Sequence, residues 1–180
     1  MRFIATKIPG VILIEPQVFG DARGFFVETF RKDLFAKNGI PVEFVQDNHS
    51  RSAKGVLRGL HYQAAPNEQA KLVRVVRGEA FDAVVDIRPG SKTFGRWEGH
   101  VLSAENKKML FVPAGFAHGF LALKEDTEFV YKVSSVYSPQ AERGILWNDP
   151  SIGIDWPKTG SPYILSEKDK KYPILKESRI

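Results

Sequence analysis

The chain has 180 residues, 43% of them hydrophobic and 26% charged, and it contains no cysteine. This length predicts one domain, residues 1–180, and the composition excludes disordered, fibrous and membrane-spanning classes. The formal net charge of +5 is mild and no basic block stands out, so neither a nucleic acid nor a membrane is an expected partner. Disulfides, zinc–thiolate sites and thiol catalysis are excluded because they all need cysteine. No signal-peptide core is present, so we expect a soluble, cytoplasmic protein.

The predicted elements begin with a strand at residues 11–14 and a turn at residues 20–24. One short helix is predicted at residues 33–37, and Gly39 and Pro41 end it. From there onward, short apolar stretches alternate with turns. The predicted strands cover residues 43–47, 55–63, 71–76, 79–88, 95–102, 108–112, 119–122 and 127–136. This all-β pattern predicts a jelly-roll β-barrel or sandwich with a few short helices.

One predicted strand carries two acids on the same face. The side-chain period of two places Asp82 and Asp86 opposite to Phe81, Ala83 and Val85. Carboxylates are costly to bury among apolar groups. The acid-bearing face of this strand is therefore expected to meet either water or a polar barrel interior.

Two histidine-bearing segments are the strongest candidates for a site. His61 and Gln63 share one strand face, and Gly59 allows a bulge that turns Arg58 towards the same cavity. His118 follows a turn shaped by proline and glycine, which is a geometry that presents a side chain at the mouth of a barrel. The two segments together resemble the two motifs of the cupin family. Cupins are jelly-roll barrels, so the resemblance implies a cupin-type jelly roll.

The sequence departs from the pattern of a metal-binding cupin. Such a protein has His-x-His and a glutamate in its first motif, but here Gln63 lies two residues after His61 and Lys71 occupies the stretch where the glutamate is expected. A protonated lysine repels a divalent cation and cannot ligate it. We therefore predict no catalytic metal and no cofactor. The imidazole, Lys71 and Arg58 instead suit proton abstraction beside a carbonyl, because an imidazole accepts the proton while cations stabilise the enolate oxygen.

Five short segments occur along the chain in the order and approximate spacing of one enzyme family. They are GDARGFF at 20–26, QDNHS at 46–50, GVLRGLHYQ at 55–63, PAGFAHGF at 113–120 and WNDP at 147–150. Together they resemble the dTDP-4-dehydrorhamnose 3,5-epimerase family, over residues 3–173. The resemblance implies conversion of dTDP-4-dehydro-6-deoxy-D-glucose into dTDP-4-dehydro-L-rhamnose. In this reaction the two sugar carbons beside the 4-keto group are inverted.

The same resemblance implies a role for each matching residue. His61 would be the proton acceptor, and Tyr131 the proton donor on the opposite face of the sugar. Asp169 would orient His61 and favour its protonated form. Lys71 would lie near the 4-keto oxygen, and His118 would contact the sugar. The other residues that would bind the dTDP-sugar substrate are Arg23, Glu28, Gln46, Asn48, Arg58, Glu142 and Lys168.

The resemblance also implies a homodimer. In the family, strands near the amino terminus cross to the partner, so Arg23 and Glu28 are expected to serve the neighbour's pocket. An edge strand rich in Phe25, Phe26 and Phe30 would benefit from such cover.

Three alternatives stay open at the level of sequence. The first is a relative that inverts a single carbon of another dTDP-4-keto sugar, which would keep His61 and Asp169. The second is a metal-dependent cupin oxygenase or isomerase, which Gln63 and Lys71 disfavour. The third is a cupin-like binding module without catalysis. Without the resemblance, Tyr131 would be assigned to packing and Asp169 to a solvated charged run.

Overall fold

The structure is a computed structural model that describes residues 1–178 and 180. Over these residues the chain forms thirteen short strands and one α-helix. The strands are β1 (Arg2–Ala5), β2 (Ile12–Glu15), β3 (Val18–Asp21), β4 (Gly24–Val27), β5 (Gln46–Ser52), β6 (Leu57–Gln63), β7 (Lys71–Arg77), β8 (Glu79–Asp86), β9 (Trp97–Ser103), β10 (Met109–Val112), β11 (Phe116–Ala122), β12 (Thr127–Val133) and β13 (Glu142–Gly144). The helix α1 spans Lys32–Lys37, and a 3₁₀ helix spans Leu175–Glu177. No helix in this part of the chain is long and apolar enough to cross a membrane.

Two antiparallel sheets and one separate hairpin make up the fold. The six-stranded sheet has the order β1-β2-β10-β7-β12-β5, and the five-stranded sheet has the order β13-β6-β11-β8-β9. Strands β3 and β4 pair only with each other. Neighbours such as β10 and β7 are far apart in sequence, as in a jelly roll, where the chain passes repeatedly between two sheets. The predicted all-β, cupin-type jelly roll is confirmed.

The two sheets face each other across a central apolar core. Val73 and Phe129 reach it from the six-stranded sheet, and Val84 and Phe120 reach it from the five-stranded sheet. The rings of Phe120 and Phe129 stack with their centroids 4.1 Å apart. Each fully buried side chain of this size contributes about 1.5–3 kcal/mol through burial alone. This core fills one part of the space between the sheets and leaves the other part to polar residues.

Each sheet is also covered on its outer face. Leu60 and Leu121 of the five-stranded sheet pack against Trp156 from the irregular segment after β13. On the six-stranded sheet, Met109 packs against Phe35 of α1. Successive side chains of a strand point to opposite faces of the sheet. Where one strand residue packs in an outer cluster, its two neighbours along the strand therefore point towards the interior.

Strand β8 follows the alternation predicted from its sequence. Ala83 and Val85 lie in the outer cluster of the five-stranded sheet, whereas Val84 lies in the central core. Asp82 and Asp86, on the same face as Val84, are both 0% exposed. Of the two environments expected for this face, the structure shows the polar interior.

The strand predicted at residues 43–47 is largely wrong, because β5 begins at Gln46 and continues to Ser52. Phe44 lies before the strand and packs edge-on against Phe30, with 5.3 Å between ring centroids, in the cluster around α1. Its hydrophobic signal therefore reports burial rather than strand pairing. Strand β5 itself has no apolar residue, so the sequence carries no hydrophobic period for it.

Candidate active site

A β-bulge shapes the wall that the five-stranded sheet gives to the site. In the pairing of β6 with β11, His61 opposes His118 and Arg58 opposes Phe120, so β6 carries one extra residue. Gly59 makes this possible: its φ is +142°, and a Cβ there would lie 2.6 Å from Cα of Gly119. The predicted bulge is confirmed.

The bulge brings Arg58 and His61 to the interior side of β6. Leu60 points outward into the apolar cluster of that face, so its neighbour His61 points inward. Arg58 reaches the facing sheet, where its Nε donates to Oγ of Ser52 at 3.1 Å. Gly144 of β13 opposes His61, which makes room beside the imidazole.

His61 is held by a carboxylate from the carboxyl-terminal segment. Its Nε2 lies 2.6 Å from Oδ1 of Asp169, and the Asp169 side chain is only 5% exposed. Burial opposes ionisation of Asp169, but its hydrogen bonds with His61 outweigh burial and lower its pKa. An ionised Asp169 accepts a hydrogen bond, so Nε2 of His61 carries the hydrogen. Nδ1 of His61 then has no partner among the described residues, and the ring is 32% exposed.

His118 lies beside His61 on the same wall, and it too is paired with an acid. Nε2 of His118 is 2.8 Å from Oδ2 of Asp82, and both side chains are buried. His118 opposes His61 across the two strands, so the two imidazoles share one face of the sheet. Two histidine–carboxylate pairs thus line this side of the cavity.

The facing wall, from the six-stranded sheet, presents Lys71. Val73 lies in the central core two residues further along β7, so Lys71 points inward as well. Burial lowers the pKa of Lys71 to about 8, while the negative charges of Asp82 and Glu142 act in the opposite direction. Its ammonium makes neither a hydrogen bond nor an ion pair within the described part of the chain. Lys71 is therefore a buried cation that is free to contact a ligand.

Tyr131 lies on the same wall, on strand β12 next to β7. Its ring packs against Phe129, with 6.2 Å between centroids, at the border of the central core. Burial raises the pKa of Tyr131, against the influence of the positive charge of Arg58, so the phenol stays protonated at neutral pH. Its hydroxyl has no hydrogen-bond partner in the described residues. Asn48 opposes Tyr131 on edge strand β5 and accepts a hydrogen bond of 2.9 Å from Gln46.

Glu142 and Lys168 form an ion pair at the rim of the cavity. Tyr137 also donates its hydroxyl to Oε2 of Glu142 at 2.8 Å. Burial opposes ionisation of Glu142, but Lys168 and Tyr137 outweigh it and lower the pKa of this carboxyl. The charge of His61 acts on Glu142 in the same direction, which shows that the rim and the His61 wall are in electrostatic contact.

Two of the substrate-binding residues expected from the sequence lie outside this group. Arg23 is at the tip of the β3–β4 hairpin, where its side chain is 90% exposed and pairs with Asp21. Glu28 follows the hairpin and pairs with Arg31 at 3.7 Å. Among the described residues, neither Arg23 nor Glu28 makes a hydrogen bond or an ion pair with the side chains around His61.

Tyr172 contacts His61, although the sequence analysis did not single it out. The two rings meet edge to face with 5.8 Å between centroids. The ring of Tyr172 also fills the space beside Gly144, where a Cβ would lie 2.4 Å from it. This contact depends on the absence of a side chain at Gly144. No local sequence pattern links Gly144 to Tyr172, so the contact could not be predicted from the sequence.

The residues that would complete a metal site in a cupin are engaged otherwise. The amide of Gln63 donates to the carbonyl of Asn67 at 2.6 Å and accepts from the backbone N–H of Ser138 at 2.7 Å. Gln63 therefore ties two loops together. Within the described residues, no three histidine or acidic side chains form a group that could hold a metal ion.

The site offers one basic nitrogen, one phenol and one free ammonium on two facing walls. His61 is on the five-stranded sheet, whereas Tyr131 and Lys71 are on the six-stranded sheet. Facing sheets lie about 10 Å apart, which leaves room for a sugar ring between them. Such an arrangement can remove a proton on one side of a ring, stabilise an oxyanion and return a proton on the other side.

The chain is similar to known carbohydrate epimerases in both sequence and structure. The sequence model described as dTDP-4-dehydrorhamnose 3,5-epimerase matches residues 5–177. A dTDP-4-dehydrorhamnose 3,5-epimerase of Shigella flexneri is 58% identical over 170 residues, which cover 94% of this chain and 93% of that protein. The crystal structure of an epimerase from Legionella pneumophila in complex with dTDP-4-keto-L-rhamnose has a TM-score of 0.94 and 48% identity, and the match covers 98% of this chain and 93% of that chain.

A structure of related but different specificity is also similar. A 3'-monoepimerase from Streptomyces bikiniensis, in complex with dTDP-quinovose, has a TM-score of 0.89 and 39% identity, over 95% of this chain and 86% of that chain. The higher identity and the nearly complete family match both lie with the enzymes that invert two carbons. The chain therefore belongs to the dTDP-4-dehydrorhamnose 3,5-epimerase family of carbohydrate epimerases.

Proposed function

We propose that this enzyme converts dTDP-4-dehydro-6-deoxy-D-glucose into dTDP-4-dehydro-L-rhamnose, with His61 as base and Tyr131 as acid. The observation that carries the proposal is the disposition of three unsatisfied groups on two walls. Nδ1 of His61 faces the cavity from one sheet, and the hydroxyl of Tyr131 and the ammonium of Lys71 face it from the other. No second acid or base is needed, because both carbons are activated by one ketone.

The 4-keto group makes the hydrogens on carbons 3 and 5 acidic. Nδ1 of His61 accepts the proton, and the electron pair of the broken C–H bond moves into the carbonyl to form an enolate. The ammonium of Lys71 stabilises the negative oxygen, and it is worth more there than in water because it is buried. Tyr131 then donates its proton to the opposite face of the carbon. Water exchanges protons with the resulting imidazolium and phenolate before the next inversion.

The nucleotide part of the substrate needs cations for its diphosphate and polar groups for its base and ribose. Arg58 and Lys168 are the cations at the edge of the cavity, and guanidinium groups suit phosphate because they donate two parallel hydrogen bonds. Gln46 and Asn48 on strand β5 supply amides, and Glu142 supplies a carboxylate. We assign these five residues to binding of the dTDP-sugar.

In a homodimer, Arg23 and Glu28 would bind the substrate in the pocket of the neighbouring chain. Both lie on or next to a hairpin whose strands pair with neither main sheet, and the hairpin exposes Phe25 by 62% and Phe26 by 67% although Lys107 lies over the ring of Phe25. Apolar side chains exposed to this degree on a protruding hairpin are typical of a protein interface. We propose that the hairpin docks on a second copy and adds Arg23 to the neighbour's pocket. We propose a homodimeric enzyme of the cytoplasm, with which the absence of cysteine is compatible.

Inversion of a single carbon is the alternative, and the likeness to the 3'-monoepimerase is the observation that favours it. The 58% identity to a 3,5-epimerase and the family model over residues 5–177 argue for two inversions. Both enzymes would use the same base, so the wall around His61 does not separate them. The difference is in which hydrogens reach the base.

Deuterium exchange separates the two functions. We expect that incubation with dTDP-4-dehydro-6-deoxy-D-glucose in deuterated water, followed by reduction of the product, gives label at both carbon 3 and carbon 5. Label at one carbon only would establish the single-carbon reaction instead. The same incubation with the His61→Asn variant is the control for exchange catalysed by solvent.

A further inference from the structure

Asp82 is a fully buried acid in the middle of strand β8, and none of the proton-transfer steps proposed above uses it. It is 0% exposed and lies on the interior face of the strand. Removing an ionised carboxylate from water costs several kcal/mol unless neighbouring groups compensate. An acid in this position therefore needs partners that stabilise its charge.

The partners of Asp82 are two side chains of the proposed site. Oδ2 lies 2.8 Å from Nε2 of His118, on the neighbouring strand β11. The negative charge of Asp82 also acts on Lys71 across the interior, where it raises the pKa of a lysine that burial lowers. Asp82 thus connects the imidazole wall with the ammonium on the facing wall.

The second oxygen of Asp82 points to the same conclusion. Oδ1 is out of contact with solvent and has no hydrogen-bond partner in the described part of the chain. An acid that served only to bind His118 or to stabilise the fold would be expected to have both oxygens satisfied. The unsatisfied oxygen leaves negative charge on the interior face of β8, and Lys71 lies on the interior face of the facing sheet.

Glu142 is the other anion that acts on Lys71, but its charge is already shared. Lys168 pairs with it and Tyr137 donates to it, so two groups offset its negative charge. Asp82 has one hydrogen-bond partner, His118, among the described residues. The titratable and charged groups on the walls around Lys71 are Asp82, Glu142, Asp169, His61, His118, Tyr131, Arg58 and Lys168. Asp82 and Glu142 are the anions that act on Lys71. Of these anions, Asp82 is the less neutralised.

We infer that Asp82 is a positioning residue of the epimerisation, which fixes the ring of His118 and holds a buried negative charge on the interior face that opposes Lys71. The inference rests on the proposed function, because it gives Asp82 a task only if Lys71 stabilises an enolate. Asp82 touches no reacting atom and acts through His118 and Lys71. It is the acid of a second histidine–carboxylate pair that complements the pair of His61 with Asp169.

The test is the Asp82→Asn variant, which keeps the size of the side chain and a carbonyl oxygen that can accept from His118. We expect kcat for deuterium exchange at carbons 3 and 5 to fall about ten- to hundredfold, because a displaced group in a site costs about that much. We expect the basic limb of the pH–rate profile to move to lower pH by about one unit, since an opposite charge nearby shifts a pKa by about that amount or more. Binding of dTDP is expected to be unchanged.

The matched control is Asp86→Asn, four residues along the same strand. Asp86 is equally buried, but its partners are Arg88, Ser91 and Thr93, outside the cavity. This variant is expected to lose stability and to keep the pH–rate profile of the wild type. A general effect of removing a buried charge from β8 would move both profiles, and this result would overturn the inference.

A measurement that does not depend on turnover completes the test. Titration of the Lys71 ammonium by nitrogen NMR is expected to show a lower pKa in Asp82→Asn than in the wild type. An unchanged titration together with an unchanged profile would overturn the inference and leave the proposed function intact, provided that the wild type exchanges both hydrogens. A wild type that exchanged neither hydrogen would overturn both. If Asp82→Asn does not fold, Asp82→Ser, which is smaller and also neutral, is measured in the same way.

Discussion

At the scale of single residues, the site contains two buried groups of opposite charge, Asp169 and Lys71, and their hydrogen bonding differs. Asp169 is nearly inaccessible yet its hydrogen bonds with His61 keep its pKa low, so it stays an anion. Lys71 is also buried, at 9% exposed, and has no such bond, so burial lowers its pKa to about 8. Of the two groups, the one without a hydrogen-bond partner is therefore the one that titrates near pH 8.

The first prediction at this scale concerns His61. In His61→Asn, deuterium exchange is expected to fall about a hundred- to ten-thousandfold at both carbons, because one general base serves both and such a base contributes about 10²–10⁴ in rate. Affinity for dTDP, measured by calorimetry, is expected to stay within about threefold, since the imidazole faces the sugar rather than the nucleotide.

His49→Asn is the control for this substitution. His49 lies on the outer side of edge strand β5, its side chain is 57% exposed, and it pairs with Glu128. This variant is expected to exchange both hydrogens at the wild-type rate. Turnover of His61→Asn within a few-fold of the wild type would show that the base has been assigned to the wrong residue.

The second prediction is the pH dependence that Lys71 confers. The pKa of about 8 means that the ammonium is present below this pH and is lost as the pH rises through it. The rate of exchange is therefore expected to fall above about pH 8. Tyr131 does not account for this limb, because burial raises its pKa above that of a free tyrosine. The measurement is kcat as a function of pH.

Lys71→Arg is the variant that identifies the group. A guanidinium remains charged throughout this range, so the variant is expected to be slower than the wild type but to show no decline above pH 8. The Coulombic effects of Asp82 and Glu142 on residue 71 are the same in both proteins. A decline that persisted in Lys71→Arg would mean that another group titrates.

At the scale of elements, the extra residue in β6 is the device that assembles the wall around His61. Leu57 points into the outer cluster, so strict alternation along β6 would point His61 outward as well. The extra residue reverses the side chains that follow it, because a shift of one residue moves each side chain to the other face. Arg58 and His61 both face the interior only because two residues of β6, Gly59 and Leu60, oppose the single residue Gly119 of β11. The register of one strand thus decides whether the base faces the substrate.

The third prediction follows from this register. In Gly59→Ala, the new methyl group would meet Gly119 at 2.6 Å and the residue would have to adopt a φ of +142°. The expected loss of stability is more than about 3 kcal/mol, the sum of backbone strain and overpacking, together with loss of exchange activity. Urea denaturation monitored by fluorescence measures the first, and deuterium exchange the second.

Gly90→Ala is the matched control for Gly59→Ala. Gly90 also has a positive φ, +77°, but no atom lies within 4 Å of the position of its Cβ. It is therefore expected to cost about 1–2 kcal/mol, the cost of the backbone conformation alone, and to leave the site unaffected. Equal losses in the two variants would show that the close approach of β6 to β11 is not what requires a glycine.

The sequence carries the elements of this fold unevenly. The orientation of β8 can be predicted, because its two aspartates alternate with apolar side chains and so mark its two faces. Strand β5 has only polar residues, so its position is set by pairing with β12, which sequence patterns do not show. Among site residues, His61 and Lys71 can be found from their neighbours, whereas Asp169 and Tyr172 come from an irregular segment. Their roles depend on a tertiary contact more than 100 residues away in sequence, 108 for the pair of Asp169 with His61.

At the scale of the whole molecule, the hairpin of β3 and β4 is the part whose position a single chain does not explain. It pairs with neither main sheet, and three of its phenylalanines, Phe19, Phe25 and Phe26, are each more than half exposed. The tip carries Arg23, which is the kind of residue that the diphosphate of the substrate needs. An arm that is apolar along its length and carries an arginine–aspartate pair at its tip is suited to reach into a second copy.

The fourth prediction tests whether Arg23 serves the neighbouring pocket. The variants Arg23→Ala and His61→Asn are each expected to be nearly inactive alone, the first through loss of substrate affinity and the second through loss of the base. In a mixed dimer, the chain with Arg23→Ala has an intact His61, and it receives Arg23 from the partner. One complete site per mixed dimer is therefore expected, as a symmetric exchange of arms requires.

Co-expression of the two variants gives the measurement. Random association makes half of the dimers mixed, and each mixed dimer has one working site of two, so the expected activity is about a quarter of that of the wild type. If Arg23 instead served its own pocket, no combination of the two chains would contain a complete site, and the mixture would be as inactive as its components. The same two variants are mixed whichever hypothesis is correct. The outcome therefore depends only on whether the arm of each chain reaches its own pocket or that of its partner. Recovery of activity would show that the catalytic unit is the dimer, with each site built from the barrel of one chain and the arm of the other.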